Sequence, residues 1–244
     1  MLNARSARLA LVSAAVLFAA GPARSDTIIV LTGPVTLQEA MGMPEGLRVA
    51  DKVFSDWSYT CSSKDGGNAP DPAAIAIEGV RVEYADRTEH GLRFTGNWSA
   101  LASQLVDTVI RYKLAVDDPF WLIDNTLWMS GSGAAGCGMV TITENVYETY
   151  PPQGAADEIA WKYTYRSAAA GSILAHVDFA QPHKTLWIVT DVGVNGGSDP
   201  PANPVGSASV SEFYETFSQT PEPGSLVLLG LGALVILTAR RRRR

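Results

Sequence analysis

Three histidines, two cysteines, six tryptophans and a scatter of carboxylates are the side chains of this 244-residue chain that could carry chemistry. Their spacing uses little of it. His90, His176 and His183 fall in separate segments, without the short spacing that brings two imidazoles onto one metal ion. No metal or cofactor site is expected. The glycines from Gly131 to Gly138 lack the Gly-Lys-Ser/Thr ending of a phosphate loop, and Ser130 breaks the Gly-x-Ser-x-Gly elbow around Ser132, so they read as hairpin residues. Asp117, Asp118 and Asp124 are close in sequence, but cleaving a glycosidic bond needs two carboxyls facing one another across a cleft. Asp118 before Pro119 reads as a turn. From Asp191 to Asp199 oxygen ligands recur four residues apart around a glycine turn, yet Gly193 and Ala202 stand where an EF-hand needs ligands. A polar loop is expected there, no catalytic residue is expected anywhere, and the chain reads as a non-enzyme.

The aromatic residues offer a binding chemistry instead. Trp57, Trp98, Trp121, Trp128, Trp161 and Trp187 all lie in the middle of the chain. Trp121 shares a strand face with Ile123, Leu127 and Met129 and is expected in the core, whereas Trp128 alternates onto the face of Asp124, Thr126 and Ser130. Trp187 shares parity with Thr185 and Asp191, and Trp161, Tyr163 and Tyr165 line one face of another strand. An indole beside polar groups stacks well on the apolar face of a sugar ring. Trp128 and Trp187 are therefore the expected sugar-stacking residues.

Strands must position them. Val106, Thr108, Ile110, Tyr112, Leu114 and Val116 alternate with Asp107, Arg111 and Lys113, the period of two of a sheet with one wet face. Similar runs recur at 52–61, 74–85, 121–130, 138–149, 158–166, 173–180, 185–194 and 206–218, separated by turns such as Asp65-Gly66-Gly67-Asn68, Pro151-Pro152 and Asn195-Gly196-Gly197. The pattern predicts an all-β fold, an antiparallel β-sandwich of jelly-roll type, with short helices at 34–44 and 99–105. Cys61 and Cys137 would close a loop of 77 residues if paired. Pairing would stabilise by up to ~4–5 kcal/mol in the chain-entropy model, and two unpaired thiols are the alternative.

Both ends of the chain read as addresses. Arg5 and Arg8 precede the apolar run Leu9 to Ala20, and Ala23-Arg24-Ser25 supplies small residues for a signal peptidase, so 1–25 is a secretory signal. At the other end come Pro221-Glu222-Pro223, an uncharged segment 224–239, and Arg240, Arg241, Arg242, Arg243 and Arg244. Sixteen residues span roughly 24 Å as a helix, short against a hydrocarbon core of ~30 Å, and the arginines stop on the cytoplasmic side. With these ends removed, 26–220 is one body. It carries 11 Lys and Arg against 24 Asp and Glu, a net of −13 that the whole-chain value of −6 conceals. Such acidity argues against nucleic acid and anionic surfaces as partners.

This tail resembles the PEP-CTERM sorting signal, also catalogued as an ice-binding protein C-terminal domain. The resemblance implies export, a transient inner-membrane anchor, processing by an exosortase-like membrane protease, and release to the cell surface or beyond. It also implies an exopolysaccharide or biofilm setting. Ice binding does not follow, because Thr141-Ile142-Thr143 is not repeated as a rank. Three classes then compete for the body: a structural or matrix protein, a carbohydrate-binding module, and a glycan hydrolase.

Overall fold

A computed structural model describes residues 27–30, 33–83, 87–152, 157–197 and 205–221. The signal segment 1–25, Glu222 and Pro223, the span 224–239 and the terminal arginines lie outside the described residues. Among the described residues no helix is long and apolar enough to cross a membrane.

Two antiparallel sheets make the body. The first contains β1 (Thr27–Val30), β2 (Val35–Thr36), β5 (Ala76–Glu83), β6 (Thr88–Leu101), β8 (Phe120–Ala135), β12 (Leu174–His183), β14 (Ser207–Phe217) and β15 (Gln219–Pro221). Its order is β1-β5-β6-β14-β8-β12, with β2 on β5 and β15 on β8. The second contains β3 (Leu47–Val49), β4 (Lys52–Lys64), β7 (Leu105–Val116), β9 (Met139–Tyr147), β10 (Glu158–Ser167), β11 (Gly171–Ser172) and β13 (Thr185–Asn195), in the order β11-β10-β9-β13-β7-β4-β3. In each sheet a late strand lies between two earlier ones: β14 between β6 and β8, and β13 between β9 and β7.

The alternation read in the sequence positions the core. Val106, Thr108, Ile110, Tyr112, Leu114 and Val116 are all buried, and the intervening residues of β7 face outward. Aromatic side chains join the sheets: Trp57 lies 4.8 Å from Tyr112 and 6.3 Å from Phe94, and Phe94 stacks on Phe213 at 4.7 Å. Burying each such side chain contributes ~1.5–3 kcal/mol, so the interface between the sheets is the main source of stability. Among the described residues one short α-helix is present, α1 (Leu37–Met41), inside the predicted 34–44. Thr36 and Glu39 close it with a reciprocal capping box.

Three expectations need correction. No helix forms at 99–105, which is the end of β6, a turn and the start of β7. That strand, the 14-residue β6, falls outside the runs that alternation marks in the sequence, and Gly91 and Gly96 lie within it. Gly91 is required by packing, because a Cβ there would stand 1.9 Å from the Glu215 carbonyl oxygen of the neighbouring strand. The glycine-rich stretch is also mostly strand, since β8 runs to Ala135 and the hairpin turn follows it.

Trp121 is the third. It is only half-buried, with Lys184 Nζ 4.8 Å from its ring centre, while Leu127 and Met129 are wholly buried. The reason is a bulge. Thr216 pairs Thr126 while Gln219 pairs Leu122, so β8 has one residue more than its partner and its facing inverts. Leu122 takes the core position instead. Asp124 fills the irregularity, accepting from Ser218 N at 2.9 Å and Ser218 Oγ at 2.7 Å. Asp124→Ala strands both buried donors, and a loss of ~2–3 kcal/mol is expected. A urea midpoint equal to that of the unmodified protein would contradict this role.

Candidate functional site

Strand β10 is built the wrong way round for a strand that only has to fold. Along Trp161-Lys162-Tyr163-Thr164-Tyr165 the aromatic residues face solvent, and Lys162 and Thr164 face the core. Trp161 is 55% exposed and Tyr163 36%, while Lys162 is 3% and Thr164 0% exposed. A shift of one residue would bury the aromatics and release the lysine. The register instead holds because Lys162 Nζ donates to Glu144 Oε1 of β9 at 2.7 Å, giving the buried ammonium a buried counter-ion. Burial pushes the Glu144 carboxyl up, and Lys162 opposes that push.

Outside, the three rings form a ladder. Trp161 and Tyr163 are parallel within 5° with centroids 6.1 Å apart, and Tyr163 and Tyr165 lie 5.6 Å apart at 18°. The strand pairing sets a polar field beside them. One rank across the sheet reads Tyr163, Thr143, Asp191, Val109, Thr60, and its neighbour reads Trp161, Asn145, Val189, Arg111, Ser58. Asp191 is pushed up to about 7 by burial and by its hydrogen bond to Asp107. Trp187 belongs to this face, 5.2 Å from Tyr150, whose ring has Arg111 at 5.8 Å. The face therefore offers flat apolar rings, hydroxyl and amide hydrogen-bonding groups, and a carboxyl pair. That set can stack on a polyhydroxylated ring and bond its rim.

The interior below is polar at its centre. Tyr112 and Thr190 hydroxyls both donate to Glu215, which is wholly buried on the opposite sheet. Burial first, and then the charge of Glu144, push Glu215 up to about 8.

Other expected site residues are dispersed. Trp128 is on the opposite sheet, stacked on Tyr214 at 5.1 Å and 25°, so the two residues expected to stack sugars occupy opposite faces. Asp117 pairs with Arg48 and Asp118 with Lys184, while Asp124 holds the bulge. Each answers a different partner. Cys61 and Cys137 are exposed and no disulfide joins them. Cys61 is on β4, and Cys137 follows β8 at the entry to β9, with β7 and β13 between β4 and β9. Three strand spacings amount to roughly 14 Å, twice what a disulfide can span. Asp191 and Asn195 are residues of β13 rather than of a loop, and Asp199 lies outside the described residues.

His176 is hydrogen-bonded, with Nδ1 2.9 Å from Thr126 Oγ1 and Nε2 3.3 Å from Asp178 Oδ1. Ligand atoms of His176, Glu89 and Asp124 lie within 4.8 Å of one another. Protein donors already serve these carboxylates, however: Thr126, Thr216 and Arg87 reach Glu89, and Ser218 occupies Asp124. A cation would have to displace them and approach Arg87. The ladder was visible in the sequence as a strand face. Its exposure was not, because that depends on the Glu144 partner from another strand.

Residues 219–244 match the PEP-CTERM protein-sorting motif. No curated protein matches the chain. Among solved structures, TmCBM61 in complex with β-1,4-galactotriose is similar at 11% identity, over 67% of this chain and 90% of that one, with a TM-score of 0.29. A structure of carbohydrate-binding modules from the β-sandwich super family gives 9% identity, 79% and 99% coverage and a TM-score of 0.19. The family 11 carbohydrate-binding module from Clostridium thermocellum, in complex with a β-1,3-1,4-mixed-linked tetrasaccharide, gives 11%, 65%, 96% and 0.15. Scores this low carry no functional argument.

Proposed function

We propose that the body is a non-enzymatic, polysaccharide-binding β-sandwich of the cell surface or extracellular matrix, holding glycan on the outer face of the second sheet. One observation carries this reading: β10 spends its aromatic residues on solvent and a lysine on the core, a choice that folding alone opposes. A linear ladder on an open face suits the interior of a linear chain better than a single terminal sugar. The net charge of −13 on residues 26–220 favours a neutral or cationic polymer over an anionic one. Binding without catalysis is supported by the separate engagements of Asp117, Asp118 and Asp124.

Delivery follows from the two ends. A signal peptidase removes 1–25, and the segment 224–239 serves as a temporary single helical span of the inner membrane. An exosortase-like protease then processes the chain at Pro221-Glu222-Pro223, a step supported by the sorting-motif match at 219–244. The jelly-roll description is supported by the insertion of β14 and β13 between earlier strands.

The test is a glycan array probed with the exported protein, spanning neutral, amine-bearing and uronic-acid polymers. Binding to neutral or amine-bearing linear chains is expected. Silence on every polymer would leave a purely structural matrix role in its place.

A further inference from the structure

We infer that the sorting motif begins inside the folded body, so that the processing protease must take β15 off β8 before it can read Pro221 to Pro223. This rests on the reading of the tail as an exosortase substrate. Strand β15 pairs Gln219 with Leu122, Thr220 with Trp121 and Pro221 with Phe120, making the first residue of the motif a backbone-paired member of the sheet. The residues before it are fastened one after another. Phe217 is wholly buried, Ser218 binds both oxygens of Asp124, and Gln219 Oε1 accepts from the buried Lys52 Nζ.

The geometry leaves little slack. Only residues 220–223 separate Gln219 from the uncharged segment that opens at Gly224, which fully extended is roughly 13 Å. A peptide entering an active site is commonly bound as an added strand, with the host supplying its backbone hydrogen bonds. The edge of β15 that faces β8 is already taken by that pairing. Release is feasible, because three residues near the end of the body can open locally while the sandwich persists. It does, however, remove a partner from Lys52, which also donates to Asp51 Oδ1 at 3.2 Å. The contact of Lys52 with Gln219 is thus a latch: the interaction surface for the protease is the inner edge of β15, exposed only when the latch opens.

The test uses the full-length chain in inner membranes of its host, following the loss of Arg240–Arg244 by mass spectrometry. A double variant, Trp121→Cys with Thr220→Cys, places thiols at paired positions. Oxidised, it should retain the arginines; after reduction it should be processed like the wild type, which also shows that the variant folds. Thr220→Cys alone should be processed in both conditions, and Gln219→Ala several-fold faster than wild type. Processing of the oxidised double variant at the wild-type rate would overturn the inference while leaving the exosortase reading intact. A wild-type chain that reaches the surface with its arginines would overturn both.

Discussion

Replacing Trp161 and Tyr163 together by alanine is expected to weaken glycan binding by a hundredfold or more, with the unfolding midpoint nearly unchanged. Covering about 100 Å² of an exposed indole with an apolar sugar face contributes ~2.5 kcal/mol, and a tyrosine ring somewhat less. Losing both therefore exceeds the ~2.7 kcal/mol that a hundredfold change in Kd requires. The same exposure protects the fold, since substitutions at solvent-facing positions outside the packed core usually shift stability by less than ~0.5 kcal/mol. Trp187→Ala provides a graded comparison. It removes a ring on the same face but also the packing of Tyr150, so affinity and stability should both fall. Trp128→Ala lies on the other sheet and should leave affinity intact. Calorimetric titration with the best array ligand measures all three. Wild-type affinity in the double variant, or a loss with Trp128→Ala alone, would move the site off this face.

Local alternation carried the strands and their faces into view, but only where the count of residues stayed even. On β7 every inward position follows from parity, and on β13 parity places Trp187 outward with Asp191. On β8 the extra residue at Asp124 inverts the pattern, and Trp121 lands half-exposed although its sequence neighbours argue for the core. A bulge is fixed by what the partner strand offers, here Ser218, which lies 94 residues away. The same limit hid β6. Gly91 looks like a break until the backbone of β14 is brought against it. For the site, the alternation of Trp161, Tyr163 and Tyr165 was legible as a shared face. Which way that face points was not, because the decision belongs to Lys162, and a lysine goes inside only where a buried acceptor such as Glu144 is waiting.

The polar centre of the sandwich makes the fold sensitive to pH in a direction opposite to ordinary acid unfolding. Glu215 holds its proton up to about 8 in the folded protein, whereas an exposed glutamate ionises near 4.5. Below both values the two states are equally protonated and its stabilising interactions are fully present. Between them the unfolded chain loses the proton and the folded one keeps it, so stability falls as pH rises, by up to ~1.4 kcal/mol per pH unit. Across the whole window the loss is on the order of 3–5 kcal/mol, and it is complete above pH 8. The Asp191 carboxyl, raised to about 7, acts in the same direction over a lower range.

Glu215→Gln isolates the larger contribution. An amide is neutral at every pH, and its oxygen can still accept from Tyr112 or Thr190. The variant should therefore be no more stable than wild type at pH 5 and several kcal/mol more stable at pH 8, so that the two stability curves cross. Urea unfolding at half-unit steps from pH 5 to 8 measures this. A flat wild-type curve, or an unchanged slope in the variant, would show that Glu215 is ionised in the fold. The matter reaches the outer face of the second sheet through Glu144, whose charge raises Glu215 and which is the counter-ion of Lys162. If Glu215 ionised, two buried carboxylates would share one ammonium, and the inverted register of β10 would lose the pairing that keeps its aromatic rings outside. A protonated Glu215 leaves that pairing undivided, which is why one buried proton helps to keep the aromatic ladder of β10 on the outside.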